Sequence, residues 1–172
     1  MACVITDGIA LDCIEGLGGI KTAWILGGTI TGYTYNGTDD ITDIAGTGTY
    51  FKFELPKDTA SFTQTANIAP TNGTLYYTQE LTMNFQKMDT AKRNVLKLVL
   101  KNRDLNVVFE DNNGAYWLLG KTRGCQASAS TGVTGTAPGD ANQFTLTLQG
   151  MEPDPAQIVI DFPDATTGIT VE

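Results

Sequence analysis

The chain has 172 residues, 11 Lys and Arg against 19 Asp and Glu, a formal net charge of −8 and no histidine. The missing histidine excludes Ser-His-Asp and Cys-His relays, histidine-ligated metals and a histidine pH switch. The acidity argues against general nucleic-acid binding, whose affinity comes from cations displacing counterions at phosphates, and no run of about 18 apolar residues offers a membrane span.

The sequence contains 26 Thr and 19 Gly. Threonine suits a half-buried pleated surface and glycine suits its turns, so β structure is expected throughout. The opening Met1-Ala2-Cys3-Val4-Ile5-Thr6-Asp7 lacks a basic region and is broken early by a charge, unlike a signal peptide. Thr22–Thr31 and Thr49–Leu55 are expected strands, separated by a polar loop or loose hairpin over Gly32–Gly48. Ala60–Asn72 reads as an extended excursion that orders on contact with a neighbour. In Leu75–Gln86, Tyr77, Gln79, Leu81, Met83 and Phe85 alternate with Thr78, Glu80, Thr82, Asn84 and Gln86, the period of a strand with one face buried.

One helix is expected at about 89–102. Asp89 or Thr90 can cap it, and Met88, Ala91, Val95, Leu98 and Val99 follow the spacing of a buried stripe. Leu105–Glu110 and Ala115–Leu119 flank Asp111-Asn112-Asn113-Gly114, a hairpin with strong turn chemistry. Arg123–Ser130 and Phe144–Leu148 are further strands. Ile158–Phe162 is a last edge strand and Pro163–Glu172 a flexible end. The expected fold is mainly β, an antiparallel β-sandwich or barrel with one packed amphipathic helix. Residues 1–156 form the β domain, and residues 157–172 an acidic C-terminal arm or edge strand.

Charge is placed unevenly. Lys87, Lys92, Arg93, Lys97, Lys101 and Arg103 face a single acid, Asp89, within residues 87–103, whereas residues 151–172 hold five acids and no Lys or Arg. The cations are either a solvated helix face or the basic half of a contact between copies. In the second reading Lys92, Arg93, Lys97 and Lys101 are the inter-subunit residues.

Catalytic patterns are missing. Asp39, Asp40 and Asp43 lack the spacing of a calcium loop, and Cys3, Cys13 and Cys125 make a poor zinc set; a Cys3–Cys13 bridge stays open. The glycine-rich pieces match neither a phosphate loop nor a dinucleotide fingerprint. No enzyme activity, cofactor or metal is expected.

Three stretches carry a resemblance. Cys13-Ile14-Glu15-Gly16-Leu17-Gly18-Gly19-Ile20-Lys21 opens onto a β segment, and Tyr77-Thr78-Gln79-Glu80-Leu81 runs towards the basic helix. Gly124-Cys125-Gln126, Gly135-Thr136-Ala137-Pro138-Gly139-Asp140 and Phe144 to Glu152 follow in order. Together they resemble tail-tube-like and neck-ring structural proteins of tailed phages of Bacteroidetes hosts, crAss-like phages among them. The resemblance implies a virion subunit made in the bacterial cytoplasm. Copies would assemble as a hexameric or dodecameric ring beside tail, neck or portal proteins, around a channel that DNA crosses without specific binding. The competing reading is a soluble β-sandwich that binds glycan or a cell surface through Trp24, Trp117 and the Gly/Thr loops.

Overall fold

The computed structural model describes residues 8–11, 14–37 and 39–172. Its elements are β1 (Ile20–Tyr35), β2 (Ile41–Glu54), β3 (Ser61–Ala69), β4 (Thr74–Gln86), α1 (Thr90–Lys101), β5 (Val107–Asp111), β6 (Tyr116–Leu119), β7 (Cys125–Val133), β8 (Gln143–Glu152), β9 (Gln157–Ile158) and β10 (Thr166–Val171). They form a six-stranded sheet in the order β10-β2-β1-β5-β6-β9 and a four-stranded sheet in the order β3-β4-β8-β7. Pairing is antiparallel except where β10 joins β2 in parallel. The protein is a mainly β sandwich with one helix, as its composition and alternation suggest.

The alternation in β4 decides how the sandwich closes. Gln79, Leu81, Met83 and Phe85 are buried, while Thr78, Glu80, Thr82 and Asn84 between them stay partly exposed. In β8, Leu146 and Leu148 are fully buried beside them. This apolar face meets Ala23, Ile25, Val107, Phe109 and Leu119 of the larger sheet, and Leu96 and Val99 of α1 close the end of the layer. Each fully buried side chain of this size contributes roughly 1.5–3 kcal/mol relative to exposure. The larger sheet also buries its other face. Trp24, Leu26, Tyr50, Val108 and Leu118 pack under Val159, Phe162, Ala165 and Ile169. Burial on both faces explains why Val107–Glu110 reads as a continuous buried run instead of an alternating one.

Four expectations are corrected. Of the two readings of Gly32–Gly48, the hairpin holds and the loop does not: β1 and β2 pair along most of it with register shifts at Ile30/Gly32 and Thr34/Tyr35. Its glycines serve close strand approach. Gly48 has φ +126, and a Cβ there would lie 2.5 Å from Gly27 O. Ala60–Asn72 needs no neighbour to become ordered, since β3 already pairs residue by residue with β4. Pro163–Glu172 is not a free end. β10 lies on β2, Ile169 is buried, and Glu172 accepts from Lys52 N at 2.7 Å. Residues 157–172 thus supply both edge strands of the larger sheet, and β9 is two residues long because Val159–Phe162 turns inward as core.

The fourth correction concerns α1. Asp89 caps it as expected, accepting from Lys92 N at 2.7 Å, and Asn102 N closes it on Val99 O at 3.1 Å. Leu96 and Val99 are its buried residues, whereas Ala91, Val95 and Leu98 of the expected stripe are exposed. The helix turns one apolar line into the core and leaves a second uncovered.

A polar cluster ties the two long strands to β5. Tyr50 donates its hydroxyl to Asn106 Oδ1 at 2.5 Å, and Asn106 Nδ2 donates to Tyr33 Oη and to Gly120 O, both at 3.1 Å. Burial holds both tyrosine hydroxyls above their ordinary pKa.

Candidate assembly surfaces

The smaller sheet presents its second face to solvent, and that face is mostly uncharged and polar, with Tyr76 and Met151 exposed towards one end. Register places Ser61, Thr63, Thr65 and Asn67 of β3 opposite Thr82, Glu80, Thr78 and Tyr76 of β4, and Thr78, Glu80, Thr82 and Asn84 opposite Met151, Gln149, Thr147 and Thr145 of β8. A lateral hydrogen-bonded skin covers it. Asn67 Nδ2 donates to Thr78 Oγ1 at 2.8 Å, Thr145 Oγ1 to Asn84 Oδ1 at 2.7 Å, and Thr82 and Thr147 hydroxyls meet at 3.3 Å. The four strands contain no Lys or Arg. Their two carboxylates are Glu80 on this face and Glu152, which is buried and accepts from Thr122 N and Arg123 N at 3.0 and 2.9 Å.

Among the described residues β3 and β7 end this sheet, with α1 packed near β7. β3 has nine residues without a charge or proline, and so does β7. Most β7 residues are exposed once Cys125 has bridged to Leu105. Edge strands ordinarily carry Lys, Pro or inward charges to prevent further pairing. These two carry none. Because neighbours alternate in direction across the sheet, β3 and β7 run oppositely. A second copy in the same orientation would set its β7 antiparallel against β3.

The four cations expected between subunits are not equivalent. Lys92 is engaged in its own chain, with Nζ donating to Gln86 O at 2.7 Å and to Lys87 O at 3.1 Å and pairing with Asp89 at 3.2 Å. The lysine bonds and the backbone N–H of Lys92 hold the Asp89 carboxyl below its usual pKa, the N–H contributing most. Arg93, Lys97 and Lys101 are exposed at four-residue spacing on one side of α1, and none makes a salt bridge among the described residues. Acidic residues gather elsewhere. Asp39, Asp40 and Asp43 lie at the β1–β2 turn and the start of β2, beside the Asp161–Asp164 segment, whose flanking Ile160 N donates to Ile41 O and Ala165 O accepts from Ile44 N. The far end of β2, Phe51–Glu54, lies next to α1. At about 3.3 Å per residue, the acidic and basic ends of β2 are roughly 40 Å apart.

Several sequence candidates are not surface sites. Trp24 is buried against Tyr116 and Phe162, and Trp117 is half-buried with Nε1 donating to Asp111 Oδ2 at 3.2 Å. Trp24 therefore offers no platform for a sugar. Asp43 accepts from Thr167 Oγ1 at 2.9 Å as part of the β2–β10 seam. Among the described residues no group of three Cys, Asp or Glu gathers where it could hold a metal ion. Cys125 is a buried free thiol whose pKa burial pushes up to about 12; Cys3 and Cys13 lie outside the described residues. The edge strands escape sequence reading because strand order, not strand composition, decides which strands end a sheet. No protein-family model matches the chain, and no curated protein and no solved structure matches it.

Proposed function

We propose that the chain is a non-enzymatic structural subunit that closes head-to-tail into a ring, the tail-tube or neck ring of a tailed phage. The observation that carries this reading is the pair of uncharged, proline-free and oppositely directed edge strands, β3 and β7, on one four-stranded sheet. Edges of different sequence on opposite sides make a heterologous contact, and such contacts close into rings when the rotation allows. Each copy adds four strands to a continuous antiparallel wall. Six copies at about 4.8 Å per strand and about 40° tilt give a wall roughly 150 Å around and about 48 Å across, wide enough for a double helix after side chains are counted.

The polar skin suits the inner surface of such a wall. A cationic lining would hold phosphates through counterion release. This face has hydroxyls, amides, Tyr76, Met151 and Glu80 and no cation, so a duplex passes without adhering. The separated acidic and basic ends favour one relative orientation of neighbouring copies and speed their encounter. Negative-stain electron microscopy of the purified protein tests the proposal. Rings with a central hole are expected at high concentration; particles of single-chain mass at every concentration would reject it.

A further inference from the structure

Beside α1 lies an open groove of about 650 Å³, walled by Leu26, Phe51 and Phe53 on one side and by Ala91, Val95 and Leu98 on the other. Val95 is 45%, Phe51 48% and Leu98 70% exposed, so this apolar wall is uncovered in the single chain. Lys92 stands at its rim. A second uncovered apolar surface lies before β1. Ile9, Leu11 and Ile14 are fully exposed, and Leu17 is 65% exposed.

The root of that segment is fixed. Asn113 brackets Leu17, accepting from its N–H at 2.7 Å and donating to its carbonyl at 2.9 Å, while Asn112 Nδ2 donates to Gly18 O at 2.6 Å. These bonds hold the root on the β5–β6 turn, at the Ile20 end of β1, whereas the groove begins near Ile25. The described residues of the segment thus do not touch the groove of their own chain. Its charge is complementary to the groove's surroundings. The sequence from Gly8 to Ile20 carries Asp12 and Glu15 and no cation, and the groove helix carries Lys92, Arg93, Lys97 and Lys101.

We infer that the apolar side chains of Gly8–Leu11 and Ile14–Leu17 dock in the α1 groove of a second copy, with Glu15 over the basic helix. The inference rests on the self-assembly proposed above, and adds a contact separate from the β3 and β7 edges. Occupation of the groove would cover the apolar line that α1 leaves exposed.

A complementation experiment on the full chain tests it. Ile14→Asp spoils the segment and Leu98→Asp spoils the groove; both positions are exposed, so circular dichroism and melting should match the unmodified chain. In sedimentation velocity each variant alone should associate about thirty-fold more weakly than the unmodified chain, the loss expected for one aliphatic anchor. An equimolar mixture should regain paired species, because the intact segment of the Leu98→Asp copy fits the intact groove of the Ile14→Asp copy. Unweakened assembly of both variants overturns the inference while leaving the ring proposal in place. Weakening without recovery in the mixture also overturns it, because another segment or the chain's own then fills the groove. If the unmodified chain never self-associates, the ring proposal itself fails.

Discussion

Thr65 at the middle of edge strand β3 and Thr131 towards the end of edge strand β7 face the polar side of the sheet, opposite Thr78 and Thr145. Replacing both by lysine installs the guard that natural edges use. If the edges pair between copies, each junction gains two like charges within a strand spacing or two, a penalty of about 0.5–1 kcal/mol. A ring of six repeats that penalty about six times, so closure is weakened by roughly 3–6 kcal/mol, or about 10²- to 10⁴-fold at about 1.4 kcal/mol per decade. Folding of the single chain should change by less than about 0.5 kcal/mol, because both threonines are exposed in the structure. Analytical ultracentrifugation across a concentration series reads the difference, and salt should restore part of the lost association by screening. Thr170→Lys on β10, an edge of the larger sheet, is the control and should leave assembly unchanged. Equal loss from the β10 variant, or none from the β3 and β7 pair, would refute the edge argument.

Asn106→Ala should lower stability by about 1–3 kcal/mol, read by denaturant unfolding, since it leaves the buried Tyr50 hydroxyl without its acceptor. Reversing Arg93, Lys97 and Lys101 to Glu should weaken assembly more than folding, compared by sedimentation and melting. Adding Lys92→Glu should also loosen the start of α1, because Nζ of Lys92 bonds to Gln86 O and Lys87 O. The Asp89 cap has its pKa lowered by folding. Its contribution is therefore complete above the ordinary carboxylate pKa and is lost as pH falls through the lowered value. Helix circular dichroism at acid pH should fall less in Asp89→Asn, which keeps an uncharged cap acceptor, than in the unmodified chain.

Local rules made part of this fold readable. β4 shows its period because one face is core and the other is wet, and Asp111–Gly114 shows its turn because Asp111 Oδ1 accepts from Asn113 N and Ala115 N. Asp89 and Asn102 bound α1 by capping chemistry that four residues contain. Elements defined by distant partners were not readable. β10 is a Thr- and Gly-rich stretch whose strand character comes from β2, more than a hundred residues earlier. The tract Gly32–Gly48 reads equally as a loop or a loose hairpin until Gly28 is seen opposite Gly48. Spacing in α1 offers Ala91, Val95 and Leu98 to the core, but nothing local says that only one of the two apolar lines would be covered. The cations were visible as a cluster, yet their division between Lys92, spent on its own helix, and the row of Arg93, Lys97 and Lys101, without a salt bridge among the described residues, depends on where the preceding strand ends.

Amide hydrogen exchange with mass spectrometry, run on dilute and on assembled protein, bears most directly on the two edges. Peptides covering Ser61–Ala69 and Gln126–Val133 should exchange markedly more slowly in the assembled state, with β10 little changed, because edge N–H groups that face water in one copy are bonded to the next. Assemblies in which β3 and β7 exchange as fast as they do in the single chain would contradict the account.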